Sequence, residues 1–310
     1  MIEVESLTKR YPSHEAVSDI SFTIERGEVV GFLGPNGAGK STTLRMLTGF
    51  LAPTSGTARI DGISVLERPI EAQRRFGYLP EIVPVYDDMR AYDFLRYRAE
   101  LKGLSYRAAK READRVLELA GVVEARDRWI AKLSKGTKQR IGIADALLGD
   151  PPILILDEPT VGLDPNQIRH IRRLIKSFEG EKTVFLSTHI LPEVEASCSR
   201  VVIIRDGKKI AEGDPRKLRE EAEGQMTIVI EGPAEPDRYI EALKDCAPVK
   251  SARRGEGRSV EVEAMPGDES LDAIFNAVTA QGLGLRRMER RAASLEEVFV
   301  GLTTVEELDS

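Results

Sequence analysis

Residues 31–47, GFLGPNGAGKSTTLRML, constrain the fold of this chain more than any other stretch. An apolar run reaches Gly34. Gly37 and Gly39 follow, and Lys40-Ser41-Thr42 opens a helical pattern. A turn before a helix needs one or two glycines. Here Gly34-Pro35-Asn36-Gly37-Ala38-Gly39-Lys40-Ser41 matches G-x-x-x-x-G-K-[ST] in full. The glycines let backbone N–H groups converge on an anion where a Cβ would obstruct, and the helix behind offers its positive end to the same charge. The pattern implies phosphate binding, with Lys40 in reach of the β and γ phosphates of a nucleotide and the Ser41 hydroxyl on Mg²⁺.

A second segment, ILILDEP, fits the first. Four apolar residues run as a strand of a buried parallel sheet and release Asp157 and Glu158 at its carboxyl end, where open α/β sheets bind ligands. Asp157 is placed to hold the hydration shell of Mg²⁺, and Glu158 to polarise a water aimed at a γ-phosphate. Alone, such a strand end is an ordinary solvated terminus; beside a phosphate loop it is a candidate catalytic pair.

The remaining pattern describes two domains, 1–216 and 217–310. IEVESLTKRY, AVSDISFTIERG and EVVGFLG read as strands, as do GTARIDG, FGYLP and the apolar run TVFLST. Helical periodicity occupies about 85–150, with breaks at Gly103 and Gly121 and a cap at Ser134. RVVIIRDGKKIAEG reads as a hairpin turning at Asp206-Gly207. Beyond a charged linker the order is strand, helix, strand, strand, helix, strand, the split βαβ plan of a small α+β ferredoxin-like domain.

Composition excludes little but excludes it clearly. At 41% hydrophobic and 31% charged, the 310 residues suit ordinary globular domains. A net charge of -6 disfavours a general grip on nucleic acid, and no nucleic-acid partner is expected. Two cysteines, Cys198 and Cys246, make neither a disulfide framework nor a zinc site. The chain opens on strand-like alternation without an apolar leader, and no stretch approaches the ~20 apolar residues of a membrane span. The expected location is cytoplasmic, peripheral on the cytoplasmic face of the cell membrane.

LSKGTKQR, residues 133–140, resembles the signature loop of ABC ATPases, usually LSGGQ, with Lys135 in place of the first glycine. Other elements of that family stand in the expected order. Tyr11 lies where an aromatic stacks on adenine, GLDP with Asp164 resembles the D-loop, and His189 in LSTHIL resembles the switch histidine. From the residues alone, Tyr11 reads rather as an edge-strand aromatic and His189 as a satisfied helix-capping histidine, and the functional readings come with the resemblance. The resemblance covers about residues 1–215 and implies a P-loop NTPase ABC cassette with a RecA-like α/β core, an antiparallel β subdomain and a helical subdomain. One position departs: FGYLPE carries Glu81 where the family has the Q-loop glutamine near Mg²⁺.

GYLPE, LSKGTKQR, GLDPNQI and LSTHI together look most like the ATP-binding subunits of ABC-2-type exporters annotated for gliding motility or multidrug export, whose second domain tends to end in an SLEEVF-like helix, here residues 294–299. The resemblance implies two copies, or this chain and a related cassette, packed head to tail. Each ATP is then held by Gly34–Thr42 of one and Ser134 and Gly136 of the other. Glu158, His189 and Lys40 would carry hydrolysis, and separately encoded integral-membrane permease subunits would dock at residues 82–98, IVPVYDDMRAYDFLRYR, unless those aromatics are simply core. A soluble ABC ATPase working on nucleic acid, the ribosome or cluster assembly is the alternative. The second domain is left as a regulatory or a dimerisation module.

Overall fold

Apolar residues alternate along β1 (Ile2–Tyr11) and β2 (His14–Ile24), so this antiparallel pair buries Ile2, Val4, Leu7, Val17, Ile20, Phe22 and Ile24 on one face. In contrast, β3 (Val29–Leu33) is buried along its whole length, as a parallel strand covered on both faces must be. The computed structural model describes residues 1–215, 217–218, 226–255, 257–265 and 267–291. The chain divides into two units, Met1–Pro215 and Arg216–Ser310.

In the first unit, α1 (Lys40–Leu47) follows β3 directly after the glycine loop, and β4 (Ser55–Ile60) and β5 (Ile63–Ser64) extend the antiparallel sheet in the order β2-β1-β4-β5. After a short α2 (Pro69–Gln73), β6 (Phe76–Leu79) enters the main sheet. Then come α3 (Ala91–Leu101), α4 (Tyr106–Leu119) and α5 (Lys135–Ala146), and the chain alternates through β7 (Ile153–Asp157), α6 (Pro165–Ser177), β8 (Thr183–Thr188), α7 (Leu191–Ser197), β9 (Arg200–Arg205) and β10 (Lys208–Gly213). The main sheet has the order β10-β9-β3-β8-β7-β6 and is parallel except for β10. Asp206 and Gly207 both take positive φ, 49° and 78°, which makes the β9–β10 connection the two-residue hairpin its sequence predicts.

The two sheets share one core. Phe22 of β2, Phe32 of β3 and Phe185 of β8 meet with ring centroids 5.2–5.8 Å apart. The opposite face of the main sheet is covered by the helical region through Phe94, Leu95, Val116, Ile141 and Ile171. α5 is pressed onto the sheet so closely that a Cβ at Gly77 would lie 1.8 Å from the Ala146 carbonyl oxygen, which only glycine permits. Arg98 of α3 clamps α5 from outside with two 2.9 Å hydrogen bonds to the Asp145 carboxylate.

In the second unit, β11 (Met226–Glu231), α8 (Pro236–Leu243), β12 (Val249–Arg254), β13 (Ser259–Ala264), α9 (Asp268–Ala280) and β14 (Arg287–Arg291) form an antiparallel sheet in the order β12-β13-β11-β14, the ferredoxin-like plan. Ile228, Ile230, Tyr239, Val260, Val262 and Ile274 fill its core. The SLEEVF segment, residues 294–299, and residues 219–225 of the charged linker lie outside the described residues.

Candidate nucleotide-binding site

Because β3, β8 and β7 are adjacent and parallel, the loops leaving their carboxyl ends converge. Residues 34–39 leave β3, Glu158 follows β7, and His189 follows β8. Asp157 pairs in register with Ser187, and Leu33 with Thr188, so five residues named from sequence, Lys40, Ser41, Asp157, Glu158 and His189, come together.

The glycines of the loop have different causes. A Cβ at Gly34 would sit 2.3 Å from the Ile204 carbonyl oxygen, and one at Gly39 (φ 103°) 2.5 Å from that of Ala16. These two are required by the protein's own backbone. Gly37 (φ 83°) has nothing within 4 Å of its missing Cβ, so its freedom serves the open side of the loop. Pro35 and Asn36 are exposed at the crest, Ala38 is buried beneath it, and Thr42 is half-buried on α1.

Lys40 is buried and turns back into the loop, donating to the carbonyls of Gly34 (2.7 Å) and Pro35 (3.1 Å), with its Nζ 3.6 Å from Glu158 Oε1. Asp157, 2% exposed, accepts at Oδ1 from Ser187 Oγ (2.5 Å) and Ser41 Oγ (3.3 Å). Glu158 adopts φ 49°, a left-handed backbone that costs a side-chain-bearing residue about 1–2 kcal/mol. That conformation is held from both sides: its N–H donates to Ser187 O (3.2 Å) and Oγ (3.1 Å), and its carbonyl accepts from Gln139 Nε2 (3.2 Å). The Glu158 carboxylate accepts from His189 Nδ1 at 3.0 and 3.1 Å; a carboxylate can only accept, which assigns the hydrogen to Nδ1.

Other groups surround this centre. Burial pushes the Tyr78 phenol up to about 12, with the charges of Asp157 and Glu81 adding to the shift and Arg45 opposing it. Glu81 is exposed. Tyr11, at the end of the β1–β2 hairpin, is 38% exposed and stacks on His14 with centroids 5.2 Å apart. The same hairpin touches the glycine loop, since Ala16 O abuts Gly39, and the β9–β10 turn touches it too, with Gly207 N donating to Ala38 O (3.1 Å).

Ser134, Gly136 and Asp164 form a separate group. Ser134 caps α5, its Oγ accepting from Thr137 N (3.2 Å). Gly136 packs where a Cβ would be 2.7 Å from Gln167 Oε1 and 2.9 Å from Gly162 O, and the Lys135 methylenes cover Gly162. Asp164 closes a capping box on α6, accepting from Asn166 N and Gln167 N. Among the described residues no hydrogen bond links these three to residues 34–42. Ser187 and Gln139 escaped the sequence reading. Ser187 stands in LSTHIL directly before Thr188-His189, and Gln139 lies within the signature-like segment, yet only pairing across the sheet and the seating of α5 reveal their partners.

Residues 17–161 match the family model described as ABC transporter. An ABC transporter ATP-binding protein of Bacillus subtilis (strain 168), YxlF, itself uncharacterised, is 35% identical over 305 residues, covering 97% of this chain and 98% of its own length. The chain belongs to the ABC transporter ATP-binding proteins. The Nod factor export ATP-binding protein I of Burkholderia pseudomallei (strain K96243) is 37% identical over 310 residues, covering 99% of this chain and 98% of that protein. A dimeric ATP-binding cassette, MJ0796, in a post-hydrolysis state with ADP and Pi, superposes with a TM-score of 0.65 at 27% identity, over 70% of this chain and 99% of that one. The chain is therefore an ABC cassette that binds and hydrolyses ATP as a transporter subunit. Among its described residues no helix is long and apolar enough to cross a membrane.

Proposed function

We propose that this cassette powers export through separate integral-membrane permease subunits of the ABC-2 type, hydrolysing Mg-ATP between two cassettes packed head to tail on the cytoplasmic face of the membrane. The observation that supports the hydrolytic assignment most directly is the buried Glu158 carboxylate, bonded to His189 and 3.6 Å from Lys40 on a backbone fixed in the left-handed region.

The donor chemistry fits Mg²⁺. Asp157 is a buried carboxylate whose described partners are hydroxyls, and Ser41 and Glu81 add oxygen donors, the type that hard cations take. Among the described residues no three His, Cys, Asp or Glu side chains form a metal group, which suits an ion that completes its shell with phosphate oxygens and water. When bound, the ion neutralises charge that builds on the β and γ phosphates.

The chain's own residues do the rest. Backbone N–H groups of residues 34–42 cradle the phosphates, and Lys40 exchanges its two carbonyl partners for phosphate oxygens. Glu158 orients a water and takes its proton as the water attacks, while His189 holds the carboxylate through Nδ1–H. Tyr11 offers a ring face to adenine. Ser134 and Gly136 of the second cassette close the site over the γ-phosphate, and Asp164 contributes by fixing the turn against which Gly136 packs. The exposed Ile82, Tyr86 and Tyr97 beside Glu81 are the surface for the permease, whereas Phe94 and Leu95 of the same segment are core. The relative named for Nod factor export supports the direction, and the dimeric neighbour with ADP and Pi supports the pairing.

Glu158→Gln tests the assignment. The variant is expected to bind Mg-ATP within about threefold of the parent while turnover falls at least ~100-fold, the usual weight of a positioned general base. Turnover at the parent rate contradicts the assignment.

A further inference from the structure

Glu193, in the first turn of α7, belongs to none of the motifs above, yet it is 3% exposed and hydrogen-bonded to residues that flank both proposed hydrolytic side chains in the chain. Its Oε2 accepts two hydroxyl hydrogen bonds, from Thr160 Oγ1 at 2.7 Å and from Thr188 Oγ1 at 3.1 Å. Thr160 stands two residues after Glu158, and Thr188 immediately before His189. The Thr188 hydroxyl also accepts from Ile190 N at 3.0 Å, so it binds the backbone on the far side of His189 as well. One carboxylate oxygen thus ties together the two loops that carry Glu158 and His189.

The other oxygen is treated differently. Oε1 is buried without a hydrogen bond, and the nearest described cation, Arg172 Nη2, stops at 3.6 Å with its own Nε also buried and unpaired. A carboxylate so placed is costly to the fold, because an incompletely paired buried charge is rarely repaid by attraction alone. Such a local cost without local return is characteristic of functional sites.

We propose that Glu193 is a positioning residue for ATP hydrolysis, its Oε2 clamping the Thr160 and Thr188 loops so that Glu158 and His189 keep their mutual geometry. The proposal rests on Glu158 and His189 being the hydrolytic pair. What the loops need is an acceptor at Oε2, not a charge. Gln at 193 keeps a carbonyl oxygen for both hydroxyls, with Arg172 turned toward solvent; Leu fills similar volume and offers no acceptor.

The test measures Mg-ATP turnover, ATP bound per chain and thermal midpoint for the full chain and for Glu193→Leu, Glu193→Gln and the double variant Thr160→Val with Thr188→Val. Glu193→Leu is expected to lose roughly 30-fold in kcat, within the 10- to 100-fold typical of residues that orient reacting groups from behind, with KM for ATP and bound ATP per chain changed less than about threefold. Glu193→Gln is expected to recover kcat to within about threefold of the parent, which a role in charge pairing would not allow. The double threonine variant, which leaves Glu193 in place, should match Glu193→Leu, and adding both threonine changes to Glu193→Leu should cost little more. A parent-like kcat in Glu193→Leu, a Gln variant as impaired as Leu, or a loss no larger than the fall in bound ATP overturns the proposal. Should Glu193→Leu fail to fold, the double threonine variant decides alone, and a parent-like kcat there overturns it equally. Glu158→Gln in the same series separates the two levels: if it still turns over, the underlying assignment fails; if it is inactive while the Glu193 set is normal, only the clamp fails.

Discussion

A methyl group added at Gly34 would come within 2.3 Å of the Ile204 carbonyl oxygen, whereas one added at Gly37 would meet nothing within 4 Å. Gly34→Ala is therefore expected to lower the thermal midpoint, because backbone must move to admit it. Gly37→Ala should cost only the ~1–2 kcal/mol of a left-handed backbone in global stability, with its main effect on Mg-ATP binding. Thermal melts and equilibrium binding on both variants check this, and an undisturbed melt for Gly34→Ala would contradict it. Glu81 makes a second residue-level case. A carboxylate there attracts Mg²⁺ more strongly than an amide and repels a bare γ-phosphate. ATP binding should thus rise more steeply with Mg²⁺ in the parent than in Glu81→Gln, and superimposable titrations would remove the idea. Burial, with the charges of Glu193 and Glu179 adding to it, pushes the Cys198 thiol up to about 12. Buried and held as the thiol, Cys198 should resist native-state alkylation at pH 8 until the chain is unfolded. Lys40 and Ser41 were legible from the glycine-loop pattern itself, and Asp157 and Glu158 from a strand end read beside that loop. His189 was legible only through the family resemblance, because a histidine after an apolar strand reads on its own as a capping residue. Ser187 and Gln139 were not, since their partners lie 30 and 19 residues away and meet only once the sheet is assembled.

At the scale of elements, α5 carries Ser134 and Gly136 at one end and Gln139 in the middle, so its seating governs both halves of the proposed site. Gly77 lets the helix approach β6, and Arg98 holds it from α3 through Asp145, whose side chain is 9% exposed. Lys102 adds hydrogen bonds to the Asp145 and Leu148 carbonyls (2.9 and 3.1 Å). Arg98→Met would leave the Asp145 charge without its bidentate partner. Because Arg98 is partly exposed, the expected loss is about 2 kcal/mol, below the 3–5 of a fully buried pair. For a unit of this size that corresponds to a thermal midpoint lower by about 4–8 °C. Calorimetry on the variant checks it, and an unchanged midpoint would show that packing alone seats α5. The parallel strands β3, β7 and β8 were readable as continuous apolar runs, and the β9–β10 turn as Asp-Gly. The aromatics of residues 82–98 were not resolvable by pattern: Phe94 is buried in the core, while Tyr86, edge-on to it at 5.7 Å, and Tyr97, 6.2 Å from Tyr86, stay partly in solvent.

For the whole molecule, the cassette was legible through the ordered motifs of residues 1–215 and the resemblance they carry, and the second unit through its strand-helix-strand-strand-helix-strand order. The sheet orders were not, since β3 pairs with β8 and β9, which lie far from it in the chain. What one chain cannot display is the partnership. Gly136 packs against residues 162–167 of its own chain and Ser134 caps α5, whereas the glycine loop they are proposed to complete belongs to a second cassette. If neither half-site is complete alone, ATP is the ligand whose differing affinity for separate and paired cassettes shifts the population toward the pair. The second unit, Arg216–Ser310, is in turn proposed to regulate that pairing or to serve as a platform for it. The most direct measurement is the mass in solution of Glu158→Gln, which should retain ATP, with and without Mg-ATP by sedimentation. The account predicts a monomer without nucleotide that becomes a dimer with it. A monomer under both conditions, or a dimer already formed without ATP, would contradict ATP-driven pairing.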